Sequence, residues 1–383
     1  MTVNAIHTPA SATTAAGTNT SDRRFLFLQS HPSFFGRSVI RHMRGAGHQC
    51  HVINLYLGDW FFRLGTGAVN YTGRLQDWPN WLGQFLEAHG ITDIVYYADQ
   101  RPYHRIARQI ARRRGMACHA YEFGYIRPDF ITLERGGMGV FSHFPDDPDL
   151  IEDLAAALPS VEPEGYYPYT FRDEAVNEVL YHLTPWFLPF LFLRYQRDRL
   201  YSPLLEYLSY LPKLVMKARR ARQADELIAK LTNSGTPYHA VLLQMQGDYQ
   251  VRRAGHYPDL DSMAEEILSS FKAHAEDQCH LVFKMHPLEN ALRDWAGVIR
   301  RIAAHHGVSD RVHVIDGGDL GALYAGCSGV VLLNSTAGLT AVLQGVPVKV
   351  LGVAIYDMAR LTHQGPLDTF WQSPDAPVPA TVA

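Results

Sequence analysis

The sequence predicts an α/β protein built from two Rossmann-like, doubly wound domains that face each other across a cleft, with a helical insertion between them. Three observations carry this. Short apolar runs alternate with helical stretches from Phe25 to Tyr121, and the same rhythm restarts at Tyr238 and runs to Gly352. Between the two halves, from about residue 146 to 236, the strand pattern disappears. Alternation of this kind is the signature of parallel sheets covered by helices. Ligands of such sheets bind outside the carboxyl ends of the strands, so the gap between the halves is the expected site.

The elements follow in order. FLFL at Phe25–Leu28 reads as a buried strand, HVINLY at His51–Tyr56 as a second and ITDIVYYA at Ile91–Ala98 as a third. A basic helix follows from Tyr103 to Arg114, and Ala117–Tyr121 makes a fourth strand. In the second half HAVLLQMQ, HLVFKMHP, RVHVID, GVVLLNS and VPVKVLG read as strands, because near-continuous apolar runs suit a sheet covered on both faces. SMAEEILSSFKAHA, LRDWAGVIRRIAAHH, a short helix ending at Tyr324 and TAGLTAVLQG separate them. The expected divisions are a disordered tail over 1–22, an N-terminal Rossmann-like domain over 23–145 and an insertion over 146–236. A C-terminal Rossmann-like domain over 237–352 and a C-terminal helix and tail over 353–383 complete the divisions.

Composition narrows the function. At 383 residues and 47% hydrophobic the chain is too long for one ordinary core. Lys+Arg 35 against Asp+Glu 38 excludes a broadly basic nucleic-acid coat and an acidic disordered chain. The four cysteines form no Cys-x-x-Cys pair, so neither a zinc knuckle nor a disulfide framework is indicated, and a reducing cytoplasm fits. The first 22 residues lack a basic start followed by an apolar core, unlike a secretory signal. No apolar run is long enough to span a bilayer. Residues 184–222 carry eight Lys/Arg against Asp198 and Glu206, among many aromatic and aliphatic residues. That stretch reads either as a bridge with solvated charges or as a surface that approaches anionic lipid.

Chemistry concentrates at strand ends. FKMHP places Lys284 and then His286 before Pro287, where an imidazole can reach across the gap to a phosphate or carboxylate. Asn334, Ser335 and Thr336 end a strand and start a helix; this is an anion site or an ordinary cap. Gln244, Gln246 and Asp248 end the first strand of the second half and suit base or sugar hydrogen bonding. The segment from Tyr121 to Glu134 offers the carboxylates Glu122, Asp129 and Glu134 beside Arg127, for acid, base or nucleophile roles. Ser30 and His31 lie in a loop with Gly36 that lacks a dinucleotide fingerprint. The acidic run Asp146-Asp147-Pro148-Asp149 reads as a solvated turn, and no metal site is expected.

QSHPSFFG, EFGYIRPDFITLE, LLQMQGD, FKMHP and LLNSTAGLTAVLQGVPVKVLG, in this order, resemble the bacterial capsule polysaccharide synthesis and export family of the KpsS/LipB type, over about residues 23–372. The resemblance implies a GT-B-like glycosyltransferase. It implies transfer of Kdo from CMP-β-Kdo to a lysophosphatidylglycerol anchor at the cytoplasmic face of the inner membrane, with retention and no cofactor. It starts the β-Kdo linker of a capsular polysaccharide, and other capsule assembly proteins are expected partners. It further implies that His286, Ser335 and Thr336 bind the CMP phosphate or Kdo carboxylate, while the Glu122 segment lines the Kdo and acceptor side. One departure stands out: related linker-extending enzymes have Glu-Asp-Gly where this chain has Glu122-Phe123-Gly124. Alternatives are a transferase for another CMP-activated acid such as sialic acid, an epimerase of the same architecture, or a non-catalytic export subunit, which Phe123 favours.

Overall fold

A computed structural model describes residues 23–126, 130–158, 171–188, 190–197, 201–247 and 257–382. The first unit contains β1 (Arg24–Phe27), α1 (Phe35–Gly45), β2 (Gln49–Asn54), α2 (Leu57–Phe62) and β3 (Val69–Asn70). It continues through α3 (Trp78–Ala88), β4 (Asp93–Tyr97), α4 (Pro102–Arg113), β5 (Ala117–Phe123) and β6 (Ile131–Arg135). The strand order is β3-β2-β1-β4-β5-β6, with β1 to β5 parallel and β6 antiparallel to β5. Alternate side chains of a strand point to opposite faces, and both faces here are apolar. Leu26, Ile94 and Tyr96 pack with Trp78 and Leu82 of α3 and Tyr103 and Ala107 of α4. Phe25, Phe27 and Val52 pack with Ile40 of α1 on the other side. Helices on both faces make the unit doubly wound, as the alternating pattern predicts.

The insertion holds α5 (Pro148–Ala157), α6 (Phe171–Phe187) and α7 (Pro203–Asn233). Among the described residues it does not form a core of its own. On α6, Tyr181 packs over Gly58 so closely that an added Cβ there would stand 2.3 Å from its ring. The Tyr181 hydroxyl donates to Asp59 at 2.8 Å, and Gln29 Nε2 donates to Asp59 at 3.0 Å. α7 instead joins the second unit, placing Ala224, Ile228 and Leu231 in a core with Leu323 and Val330. The acidic run expected as a solvated turn is exposed, as expected, and also starts α5. Asp147 caps α5 by accepting from the Asp149 amide at 3.0 Å, and Arg360 reaches Asp149 at 2.7 Å.

The second unit comprises β7 (Tyr238–Leu242), α8 (Leu260–His274), β8 (His280–Lys284), α9 (Trp295–His305) and β9 (Val312–Ile315). α10 (Leu320–Gly326), β10 (Gly329–Leu332), α11 (Thr336–Leu343) and β11 (Val348–Val350) follow. All five strands are parallel, in the order β11-β10-β7-β8-β9. The first strand of this unit is therefore central, and crossovers leave it in both directions. The terminal segment forms only short helices, Leu367–Phe370 and Pro379–Val382. Phe370 and Trp371 bury themselves in the core under α8, and Thr381 donates to Glu152 of α5.

A strand beyond those read from the sequence follows β5. β5 runs on past the expected end at Tyr121 to Phe123, and residues 131–135 return beside it as β6. Alternation in Ile131-Thr132-Leu133-Glu134-Arg135 carried that signal.

Candidate functional site

Parallel pairing brings the carboxyl ends of β7, β8, β9 and β10 to one edge of the second sheet. Two of the expected residues lock that edge together: Gln244 Nε2 donates to Asn334 Oδ1 at 2.8 Å, and the Asn334 amide donates to Gln244 Oε1 at 3.0 Å. Lys284 is buried, and its ammonium donates to the carbonyls of Gly317 and Gly318. Both glycines have left-handed backbone, φ 108° and 78°, which suits glycine alone at low cost. Burial lowers the Lys284 pKa, opposed by Asp225, Asp316 and Asp319. Its charge thus holds the loop after β9, at the same strand-end edge.

His286 is half-buried at the end of β8, with Pro287 exposed beside it. The Leu288 amide donates to His286 Nδ1 at 3.1 Å, so that nitrogen is the acceptor and Nε2 carries the hydrogen in the neutral ring. Three residues beyond His286 is Glu289, 4% exposed, which the motif reading passed over. Its Oε2 accepts from the Gln246 amide at 3.2 Å, tying the loop after β7 to the loop after β8. Burial pushes the Glu289 carboxyl above the ordinary carboxylate range, against the Gln246 amide, which lowers it. Ser335 caps α11, its Oγ accepting from the Ala337 amide at 3.2 Å, and Thr336 occupies the first helical position. Tyr356 donates to the Ser335 carbonyl. Gly338 allows that approach, since a Cβ there would lie 2.2 Å from the Tyr356 hydroxyl.

The first unit presents a matching edge. Ser30 is buried under the first turn of α1, where a Cβ on Gly36 would meet it at 2.7 Å. His31 packs edge-on against Phe123 at 4.6 Å and Tyr97 at 5.2 Å between ring centroids. Phe123 therefore belongs to an aromatic cluster on one face of β5. Glu122 points to the other face. It pairs with Thr132 while Glu134 pairs with Ala120, so the register sets the two carboxylates as diagonal neighbours on one face of the hairpin. Ser142 donates its hydroxyl to Glu134.

A third acid completes this corner and was missed. Asp99, just beyond β4, is fully buried; its Oδ2 accepts from the Met138 amide at 3.1 Å, while Oδ1 has no hydrogen-bond partner among the described residues. Burial raises its pKa; the Met138 amide, Arg108 and Gln100 oppose this, and Glu134 adds to it. The residue before it, Ala98, has φ 57°, an uncommon left-handed alanine at a strand end. An acid directly after an apolar strand was the available signal, masked because the strand itself drew the attention. Tyr125 feels Glu122, Glu134 and Asp99 together: burial first, then these charges, push its pKa up to about 12.

Burial, and behind it the charges of Asp357 and Tyr125, push the pKa of Tyr356, the tyrosine bonded to Ser335, well above the ordinary tyrosine value. The acidic corner around Tyr125 and the capped start of α11 therefore lie within electrostatic range of each other. Of the residues expected from sequence, Glu122 and Glu134 share one edge, and His286, Gln246, Ser335 and Thr336 share the other. Arg127, Asp129 and Asp248 lie outside the described residues.

Known proteins were compared with this chain. Residues 92–382 match the family described as capsule polysaccharide biosynthesis protein. The chain is 29% identical over 357 residues to the capsule polysaccharide export protein KpsS of Escherichia coli, covering 92% of this chain and 90% of that protein. It is 30% identical over 365 residues to the capsule polysaccharide modification protein LipB of Neisseria meningitidis serogroup B, covering 93% and 87%. Among solved structures it aligns with the β-Kdo 2,7 transferase of Thermosulfurimonas dismutans KpsC at 13% identity and a TM-score of 0.42, covering 94% and 88%. By the match over residues 92–382 and these full-length relatives, the chain belongs to the capsule polysaccharide biosynthesis protein family.

Proposed function

We propose that this chain is a glycosyltransferase that moves Kdo from CMP-β-Kdo to an anionic lysophospholipid of the lysophosphatidylglycerol type, beginning a capsular linker. The observation that carries the reading is the approach of two chemically different edges, acidic at Glu122, Glu134 and Asp99 and anion-receptive at His286 and the start of α11. A CMP-activated acidic sugar has a phosphate and a carboxylate to be held, and imidazole donors and helix-start amides suit both. Breaking the anomeric C–O bond sends its electron pair to CMP. In a retaining route a carboxylate first bonds the anomeric carbon, and the acceptor oxygen then displaces it while its proton passes to a base. Glu122 is the candidate nucleophile and Glu134 its neighbour on the hairpin, with the buried acid Asp99 beside them. The donor needs no resident cofactor on this route.

The test is mass spectrometry of the product from CMP-Kdo, generated in situ, and lysophosphatidylglycerol, with CMP-sialic acid in parallel. A gain of one Kdo unit, lost in His286→Ala, is expected. No transfer from CMP-Kdo with any lysophospholipid would sink the reading. A second reading, a subunit that recognises the glycolipid without acting on it, is favoured by Phe123, which fills the position between Glu122 and Gly124 with a ring packed on His31. The name of the Escherichia coli relative, an export protein, points the same way. In that case His286→Ala leaves capsule export intact.

A further inference from the structure

α7 has two faces with opposite characters. One is held to the second unit: Tyr210 donates to the Leu288 carbonyl, Lys213 donates to the Glu289 carbonyl at 2.8 Å, and Ala224 and Ile228 enter the core. The opposite face carries Leu204, Leu208, Leu211 and Val215, exposed by 45%, 54%, 56% and 83%. Spacings of four, three and four align these side chains in one stripe on a helix. The next residues on the same face, one and two turns on, are Arg219 and Arg222. No described helix is long and apolar enough to cross a membrane. A single helix with an outward aliphatic stripe that ends in arginines has the composition of an interfacial helix.

We infer that the outer face of α7 docks onto an anionic bilayer surface, with the aliphatic stripe at the acyl boundary and Arg219 and Arg222 among the headgroups. Charge decides between this occupant and a second copy of the chain. From 203 to 223 the helix has one carboxylate, Glu206, and it faces Glu289 on the held side; Glu226, one turn beyond Arg222, pairs with it at 3.8 Å. Two such faces brought together would set an aliphatic stripe and Arg219, which have no carboxylate among them, against their like, with Glu226 already engaged by Arg222. An anionic lipid surface answers the stripe and the arginines at once. Because the inner face of α7 holds the loop after His286, docking would also fix the orientation of that loop relative to the lipid. The inference stands apart from the transfer reaction, since it is read without a donor.

The experiment is co-sedimentation of the full chain with vesicles of phosphatidylcholine alone or with about 30% phosphatidylglycerol. Binding to the anionic vesicles that weakens with salt is expected, with about a tenfold loss in Leu208→Asn/Val215→Asn and in Arg219→Gln/Arg222→Gln. These residues are exposed, so thermal unfolding should match the parent chain. As a positive readout, tryptophan at position 208, introduced as Leu208→Trp, should be quenched by brominated phosphatidylcholine in the anionic vesicles. No binding to either vesicle, unchanged binding in the asparagine variant, or an unquenched tryptophan would overturn the inference. So would a dimer in light scattering that dissociates in Leu208→Asn/Val215→Asn.

Discussion

Glu289 offers a test in which geometry and chemistry separate. Its buried carboxylate accepts the Gln246 amide and so joins the loops that follow β7 and β8. Glu289→Gln keeps an oxygen in the same place, so the tether should persist and stability should change by less than about 1 kcal/mol. Glu289→Ala leaves the Gln246 amide without that acceptor, costing about 1–3 kcal/mol, and opens a void worth about 1 kcal/mol more. The expected loss is therefore about 2–4 kcal/mol, read as a fall in the midpoint of thermal unfolding. The pH dependence has a definite sign. A carboxyl whose pKa is raised on folding is penalised once the unfolded form ionises, and the penalty is complete above the raised value. Glu289→Gln should accordingly gain on the parent chain as pH rises from about 4, the ordinary glutamate value. If Glu289 only positions the loops, CMP release should stay within about tenfold in the glutamine variant and collapse in the alanine variant. A glutamine variant as unstable as alanine would refute the tether. A stable glutamine variant that loses a hundredfold or more in rate would show instead that the carboxyl transfers a proton.

Four further outcomes follow from the same structure. Asp93 is buried, which raises its pKa, yet hydrogen bonds from His119, Arg23 and Thr92 together hold it well below the ordinary range. Asp93→Asn should cost about 1–3 kcal/mol at neutral pH, by urea unfolding, with the difference shrinking as pH falls below about 4; a constant difference would exclude the ion cluster as its cause. Lys284→Met should cost about 2–4 kcal/mol by leaving the Gly317 and Gly318 carbonyls unpaired, and an unchanged melting midpoint would show that they do not need it. Gly338→Ala pushes a methyl into Tyr356 and should cost about 1–3 kcal/mol, partly recovered when Tyr356→Phe removes the clashing oxygen; strict additivity of the two would deny the contact. Phe123→Asp should lose about 1 kcal/mol of ring contact with His31 without raising the rate, and a faster variant would place the missing acid there.

The sheets were legible because their strands are buried on both faces, which writes each as a short apolar run. FLFL, HLVFK and GVVL needed no tertiary information to be recognised. β3 was not legible: two exposed residues, Val69 and Asn70, carry no pattern. The hairpin strand β6 was hidden because half of it faces solvent and Gly124 and the Pro128 region suggested a loop. At the site, sequence marked residues at strand ends but could not say which were already engaged. Gln244 and Asn334 look alike to any ligand-seeking reading, yet each satisfies the other. Glu289 and Asp99 were passed over because their distinguishing property is burial, and burial of a carboxylate is decided by neighbours distant in sequence.

On the proposed reading neither unit holds all the residues of the site, so the separation between them would be part of the chemistry. That separation is constrained at several points by the chain's own path. α6 packs against the first unit through Tyr181, whereas α7 packs against the second through Ala224 and Ile228. α5 follows the first sheet but is held by Arg360 and Thr381 near the end of the chain. At the strand edges Tyr125 lies within electrostatic range of Tyr356, which is bonded to the Ser335 carbonyl at the cap of α11. With α6 bonded to Asp59 of the first unit and α7 in the core of the second, the insertion that sequence alone marks as a basic interruption ties the two units together.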